Sequence, residues 1–277
     1  MFPQAWQVGL DIQIDCVRAV AAQRRRNGWQ LRHWWQQALP QAVLRDGCLQ
    51  PSEFLIRALR QWRVQLPRHI SLRIALPAQR VLQQRMTQPD ARLREPERSD
   101  YIGGHGLKQF PLDGQTLVLD YRAAPADEVA LLLTAARRQE LQQWLHCLRQ
   151  AGLHPQAVDI TPCALRMMAT AAGVPPAAGL MHRLEREWLW VAPADGAFAF
   201  GLAPGDDDAQ ALRALQAQMP VGDDRPVYAG GVLAGALPAG CLGWSPLSAF
   251  TQLRPPLPAH PSAFALAGGL ALREEDR

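Results

Sequence analysis

The chain has 277 residues, 48% of them apolar, with 29 Lys and Arg against 25 Asp and Glu for a net charge of +4. That length can bury a sizeable core as one large domain or two small ones, while no apolar run approaches the roughly 18 to 20 residues of a membrane-spanning helix. The opening MFPQAWQVGLDIQID lacks a basic head before an apolar signal core, and the five cysteines include no Cys-x-x-Cys pair, so the expectation is a reduced, cytosolic globular protein without a disulfide framework or zinc site.

Trp6 to Leu10, Cys16 to Ala22 and Trp29 to Leu39 alternate or run apolar with turn chemistry between them, which predicts three antiparallel strands. Arg24, Arg25 and Arg26, followed by Asn27 and Gly28, fall at the solvated tip of the second hairpin; attachment to anionic lipid headgroups is the functional alternative. Nucleic acid is not an expected partner, because the aromatics are not interleaved with basic residues as a stacking platform requires. Pro51 to Trp62 predicts a helix with Phe54, Leu55, Ala58, Leu59 and Trp62 on one side, and Ser71 to Leu76 a short buried strand closed by Pro77. From Gln79 to about Arg122 the composition turns polar and basic, with a strand at Val81 to Thr87 and a weak helix from Arg94 to Phe110. Gly103, Gly104 and Gly106 each cost that helix about 0.5 to 1 kcal/mol relative to Ala. The Gly-Gly-His-Gly run is a poor phosphate loop, since no strand feeds it.

The stretch from Leu117 to Leu165 changes period twice. LVLDY and the apolar run Val129 to Ala136 have strand character, after which Leu141, Trp144, Leu145 and Leu148 fall at i, i+3, i+4 and i+7 on one helical face. Gly152 and Pro155 stop that helix, Gln156 to Ile160 forms the next strand, and Thr161-Pro162 starts another helix with Thr161 as its cap. The helix then serves as a crossover between strands. In order and spacing, LDY, a strand ending in Ala-Ala-Arg, a helix closing on AGLHP, and VDITPCAL resemble the PilM family, most closely its shorter DNA-utilisation members of the HofM type.

That resemblance implies an actin-like (RNase H-like) α/β fold in two lobes, with an inserted small α+β subdomain in the first. The implied division is a first lobe over 1–172 with the insertion at about 79–136, a reduced second lobe over 173–260 entered through the hinge Gly173-Val174-Pro175-Pro176, and a C-terminal helix within 261–277 packing back on the first lobe. In the second lobe, Trp188 to Ala192 and Phe198 to Leu202 form a hairpin, Ala209 to Met219 a helix, Pro226 to Ala229 a strand and Gly230-Gly231 a tight turn; Ser262 caps a last helix from Ala263 to Leu272. REEDR ends the chain without an amphipathic membrane helix.

The resemblance implies a role as a cytoplasmic scaffold at the inner face of the inner membrane, in a type IV pilus-like or DNA-uptake machine. Its partner would be a PilN-type membrane protein, whose cytoplasmic N-terminus would lie in a groove between the first lobe and the insertion; Leu76, Pro77 and Arg80 are the groove candidates. An actin-like ATPase holds phosphate in two glycine-containing hairpins. Here Asp11 matches the expected carboxylate, but Gln13 and Ile14 replace the following small residues, and Met181 to Glu187 replaces the second hairpin without a glycine. Gly230 and Gly231 are what remains, so the nucleotide site is expected to be degenerate, with no cofactor required. Three alternatives stay open: an ATPase with Mg²⁺ on Asp11 and nucleotide over Gly230 and Gly231; a small-molecule kinase of the same fold using Asp120 or Asp159 as base; and phosphate held by Arg183 and Arg186. Homo-oligomers are compatible with all of these readings.

Overall fold

The computed structural model describes residues 5–90, 92–124, 127–219, 225–233 and 235–274. The chain opens with an antiparallel meander, β1 (Trp6–Ile12), β2 (Cys16–Arg25) and β3 (Gly28–Ala38), followed by the short hairpin β4 (Leu44–Arg45) and β5 (Cys48–Leu49), helix α1 (Glu53–Arg63) and β6 (Ile70–Leu76). An insertion then contributes β7 (Val81–Thr87), α2 (Glu97–Gly106), β8 (Leu117–Ala124) and β9 (Asp127–Arg137). After it come α3 (Arg138–Gln150), β10 (Pro155–Ile160), α4 (Thr161–Ala171), β11 (Gly179–Arg183), β12 (Glu187–Val191), β13 (Phe200–Pro204), α5 (Asp208–Gln216), β14 (Val227–Gly231), β15 (Cys241–Gly243), β16 (Phe250–Gln252) and α6 (Ala265–Leu272).

Beside the two-stranded β4-β5 hairpin, three larger sheets organise these elements: a six-stranded sheet in the order β10-β6-β1-β2-β3-β16, a five-stranded sheet β13-β12-β11-β14-β15, and the insertion's β7-β9-β8. Alternation explains the first. Ala19 and Ala21 of β2 face the core beneath α1 and α3, while Val20 and Ala22 face the core containing α4 and α6, so the middle of β2, from Ala19 to Ala22, is buried on both sides and is apolar throughout. The insertion has its own small core of Met86, Ile102, Phe110, Leu117, Leu131 and Leu133. Gly106, costly by propensity, is buried where a Cβ would press on Leu133 and Leu119, so its bare backbone lets α2 lie close to the sheet.

The last helix occupies the centre. All eight residues of α6 are buried, and it lies between α4 and the face of β1 at distances only glycine allows. A Cβ on Gly9 would sit 2.0 Å from the Ala267 carbonyl oxygen, one on Gly269 1.8 Å from that of Ala164, and one on Gly268 2.5 Å from the Met168 sulfur. Two glycines inside a helix cost about 1 kcal/mol each relative to Ala, offset here by close backbone packing. The buried Arg73 of β6 donates from Nη1 to Gln7 Oε1 at 2.5 Å and to the Ala271 carbonyl at 3.3 Å, placing a cation at the helix C-terminus where the dipole favours it.

Several sequence expectations are corrected. Phe54 is 48% exposed and Ile56 takes its place, because the buried ridge of α1 is Leu55, Ile56, Leu59 and Trp62. Cys147 replaces Leu141 and Leu145 as fully buried on α3. α3 is not a crossover within one sheet, since β9 belongs to the insertion and β10 pairs in parallel with β6. Thr161 does not cap α4; its hydroxyl accepts from the Ala78 amide at 3.1 Å, tying the helix start to the exit toward the insertion. Ser262 does not cap α6 either, because a 3-10 turn over Pro261–Phe264 intervenes and Ser262 Oγ donates to the Trp244 carbonyl at 3.5 Å. The weak helix contracts to Glu97–Gly106. Phe250–Gln252, assigned from sequence to the second lobe, joins β3 of the first sheet. The chain end beyond Glu274, with the reading placed on it, lies outside the described residues.

The packing predicts that Gly9→Ala forces α6 off β1 and costs about 3 kcal/mol or more, measured as a lowered thermal midpoint. Gly104→Ala, with nothing within 4 Å of the added carbon, raises stability by about 0.5 to 1 kcal/mol through helix propensity.

Candidate functional site

Two concavities flank β6. The first, a cleft of about 500 Å³, lies between the first and second sheets, bounded by Ile12–Ile14, the β4–β5 hairpin, Pro77, Gln79, Thr161 and the β11–β12 turn Leu184–Glu187. The β4–β5 hairpin is absent from the predicted elements. Its signal is Asp46-Gly47, both at positive φ, 49° and 74°, the pair a two-residue hairpin turn favours.

Beneath the cleft lies a buried charge network that bridges the two sheets. Arg18 on β2 donates from Nη1 to Glu185 Oε1 at 3.2 Å, with only 7% and 15% of the two side chains exposed. Asp11, 5% exposed, accepts from Gln13 Nε2 at 2.7 Å. Burial pushes the Asp11 carboxyl up to about 7, with Glu185 adding to the rise and Arg18 and the Gln13 hydrogen bond opposing it. His182 is 2% exposed; burial, reinforced by the Arg18 charge, lowers its imidazole to about 3, so it stays neutral. Arg18 Nε, His182 Nδ1 and Glu185 Oε2 have no hydrogen-bond partner among the described residues.

The predicted nucleotide residues are not brought together. Asp11 lies under the cleft floor, whereas Gly230 and Gly231 do not line the cleft and form no turn. They end β14, opposite His182 and Arg183 of β11. Gly231 is glycine because φ is +104° and a Cβ would stand 2.3 Å from the Arg183 carbonyl oxygen. Arg183 donates to the Leu184 and Glu187 carbonyls at 2.9 and 3.3 Å, bracing the turn, while Arg186 lines the cleft.

The second concavity, about 530 Å³, is a groove between the insertion and the first sheet, lined by Val118–Arg122 of β8 and Val158–Ile160 of β10 with Leu76, Val81 and Arg273. Both strands are sheet edges, so each offers backbone groups to an extended chain. The partner-groove candidates separate: Leu76 lines this groove, Pro77 lines the cleft, and Arg80 is held in an ion pair with Glu140 of α3, Nε to Oε2 at 2.8 Å. They part because Leu76 ends β6, whereas Pro77 follows it and Arg80 lies in a 3-10 turn over Ala78–Arg80. Asp120 and Asp159 both line the groove, but Asp159 accepts from Arg273 Nε and from the Ile160 amide, each at 2.8 Å, which accounts for it as a clamp on the end of α6. LVLDY and VDI are legible as strands in the sequence, but their placement across a groove depends on the insertion folding back.

The two-sheet body with a cleft between the lobes and a small α+β insertion in the first lobe defines an actin-like, RNase H-like protein. Among solved structures the chain is similar to one described as the PilM-PilN type IV pilus biogenesis complex, with a TM-score of 0.71 and 20% identity over 98% of both chains. It is also similar to the cytoplasmic domain of EpsL, an inner membrane component of the type II secretion system of Vibrio cholerae, with a TM-score of 0.59 and 12% identity over 97% of this chain and 95% of that one. A family profile described as type IV pilus assembly protein PilM matches residues 9–178, and the chain belongs to the PilM family. It is 28% identical over 270 residues to the DNA utilization protein HofM of Escherichia coli (strain K12), covering 96% of each. Among the described residues no helix is long and apolar enough to cross a membrane.

The buried network predicts a pH signature. Below the usual carboxylate value of 3.8 Asp11 is protonated in both folded and unfolded chains, and between there and about 7 the folded chain alone keeps the proton. Its contribution to stability is therefore greatest at low pH and is lost as pH rises to about 7. Asp11→Asn should gain on the wild type across that window, reaching on the order of 3 kcal/mol in denaturant titrations at stepped pH. Arg18→Ala should cost about 3 to 5 kcal/mol by leaving Glu185 without its partner.

Proposed function

We propose that this protein is a non-enzymatic cytoplasmic scaffold in the inner-membrane assembly platform of a type IV pilus-like or DNA-utilisation machine, recruited to the membrane by a PilN-type protein whose cytoplasmic N-terminal peptide lies in the groove between β8 and β10. The observation that carries this is the pair of open strand edges facing each other across a groove lined by Val118, Tyr121, Val158 and Leu76. An extended peptide gains main-chain hydrogen bonds from such edges and specificity from the apolar side chains between them. The likeness to a chain of the PilM-PilN complex supports the choice of partner.

The cleft does not serve nucleotide in this reading. Gln13 and Ile14 take up the room where backbone amides would approach phosphate, Asp11 is drawn toward its neutral form with Gln13 hydrogen-bonded to it, and Glu185 and Glu187 add carboxylates to the wall. The carboxylate that matches the expected Mg²⁺ ligand, Asp11, is buried and drawn toward its neutral form, which fits the ion poorly, since it needs exposed charged oxygen ligands.

Calorimetric titration with the synthetic N-terminus of the cognate PilN-type protein should show saturable binding, weakened about ten-fold by Tyr121→Ala; equal binding of a scrambled peptide would refute the groove assignment. Thermal unfolding with millimolar Mg-ATP should show no shift. Ligand at 100 times its Kd would stabilise the fold by about 2.7 kcal/mol, so a rise of several degrees that Asp11→Ala abolishes would establish the ATPase reading instead.

A further inference from the structure

The corner of the first sheet diagonally opposite the groove carries a second surface. The β2–β3 hairpin turns there through Arg24, Arg25, Arg26 and Asn27, all exposed. β16 brings a segment 222 residues away in the chain beside it: Thr251 Oγ1 donates to the Trp29 carbonyl at 3.1 Å, and Trp34 Nε1 donates to the Pro256 carbonyl at 2.7 Å. Thr251 Cγ2 fills the space a Cβ on Gly28 would need, 2.7 Å away. The two segments are thus locked edge to edge.

Their chemistry is one-sided. The hairpin supplies three guanidinium groups, Arg24 lying 5.3 Å from the centroid of the half-buried Trp29 ring. The second segment supplies Arg254, whose charge, after burial, helps hold His33 below its usual range. It also exposes Leu253 and Leu257, at 42% and 37%. No aspartate or glutamate occurs between Asp15 and Asp46 or between Asp224 and Glu274, so neither segment carries a carboxylate of its own. An acidic protein surface would answer the arginines and leave the leucines unused. A bilayer interface answers both, because phosphates lie directly above acyl chains and arginine lays its stem along apolar surface while its head stays at the phosphates.

We propose that this corner is a docking face for an anionic lipid bilayer, with Arg24, Arg25, Arg26 and Arg254 on the headgroup phosphates and Leu253 and Leu257 entering the interface. Each basic residue near an anionic leaflet strengthens binding by about five-fold, so the face orients the protein beside a protein anchor and does not replace one. It lies at the far sheet edge and the opposite strand ends from Val158–Ile160, leaving the groove open while docked.

The test is co-sedimentation of the full chain with phosphatidylcholine vesicles that contain or lack phosphatidylglycerol, at low and high salt. The expected result is binding to the anionic vesicles alone, released by salt. R24Q/R25Q/R26Q should lower the apparent affinity on the order of a hundred-fold, and L253S/L257S by about ten-fold with the salt dependence kept. Unchanged melting curves would certify that both variants fold, their altered side chains being exposed. No binding to anionic vesicles at low salt, or binding indifferent to the arginine triple change, overturns the proposal. Binding that survives the leucine pair and is fully competed by polyglutamate overturns it in favour of an acidic protein partner.

Discussion

The structure depends on how closely α6 approaches α4 and β1. Gly9, Gly268 and Gly269 remove the three carbons that would hold these backbones apart, and the wholly buried helix then supplies core to both faces it touches. Because α6 follows the second lobe in the chain and packs in the first, it ties the two together. The same segment reaches the groove: Arg273, directly after α6, engages Asp159 on the edge strand β10, so the geometry of one groove wall is coupled to the seating of the last helix.

The Arg18–Glu185 pair bridges the sheets in another currency. Two charges withdrawn from water regain little net free energy from each other, so such a pair is weak grounds for stability. What it contributes is a preferred arrangement, since any opening of the cleft separates opposite charges while Asp11 and His182 remain buried beside them. Burial pushes the Asp11 carboxyl up to about 7, which disfavours its charged form beneath the cleft floor.

The two edges of the first sheet are treated differently. β16 covers part of β3, pairing at Trp29 and Gln30, and the segment after it continues along that edge to Trp34. β10 is instead left facing β8 across an open groove. Unpaired edges offer backbone groups to other chains, and the insertion sets two of them opposite each other. The insertion therefore forms the second wall of a groove the sheet alone could not enclose.

Much of this was legible in the chain as written. Alternation located β1 to β3, β6 and β7, helical spacing located α1 and α3, and the motifs LDY, AAR, AGLHP and VDITPCAL carried the family, because each depends on residues near in sequence. The capping roles assigned to Thr161 and Ser262 failed because a hydroxyl bonds whatever amide or carbonyl tertiary packing brings closest, here Ala78 and Trp244. Gly230 and Gly231 looked like a turn because a glycine pair is compatible with one; only the approach of the Arg183 backbone reveals why glycine is required there. Leu76, at the end of β6, lines the groove while Pro77, the next residue, lines the cleft, and Phe250–Gln252 crosses to the first sheet. Local pattern determines which elements form and which face of each is apolar, whereas the partner of an edge, the distance between two backbones and the environment of a buried charge are set by residues far apart in the sequence, and those only the tertiary structure decided.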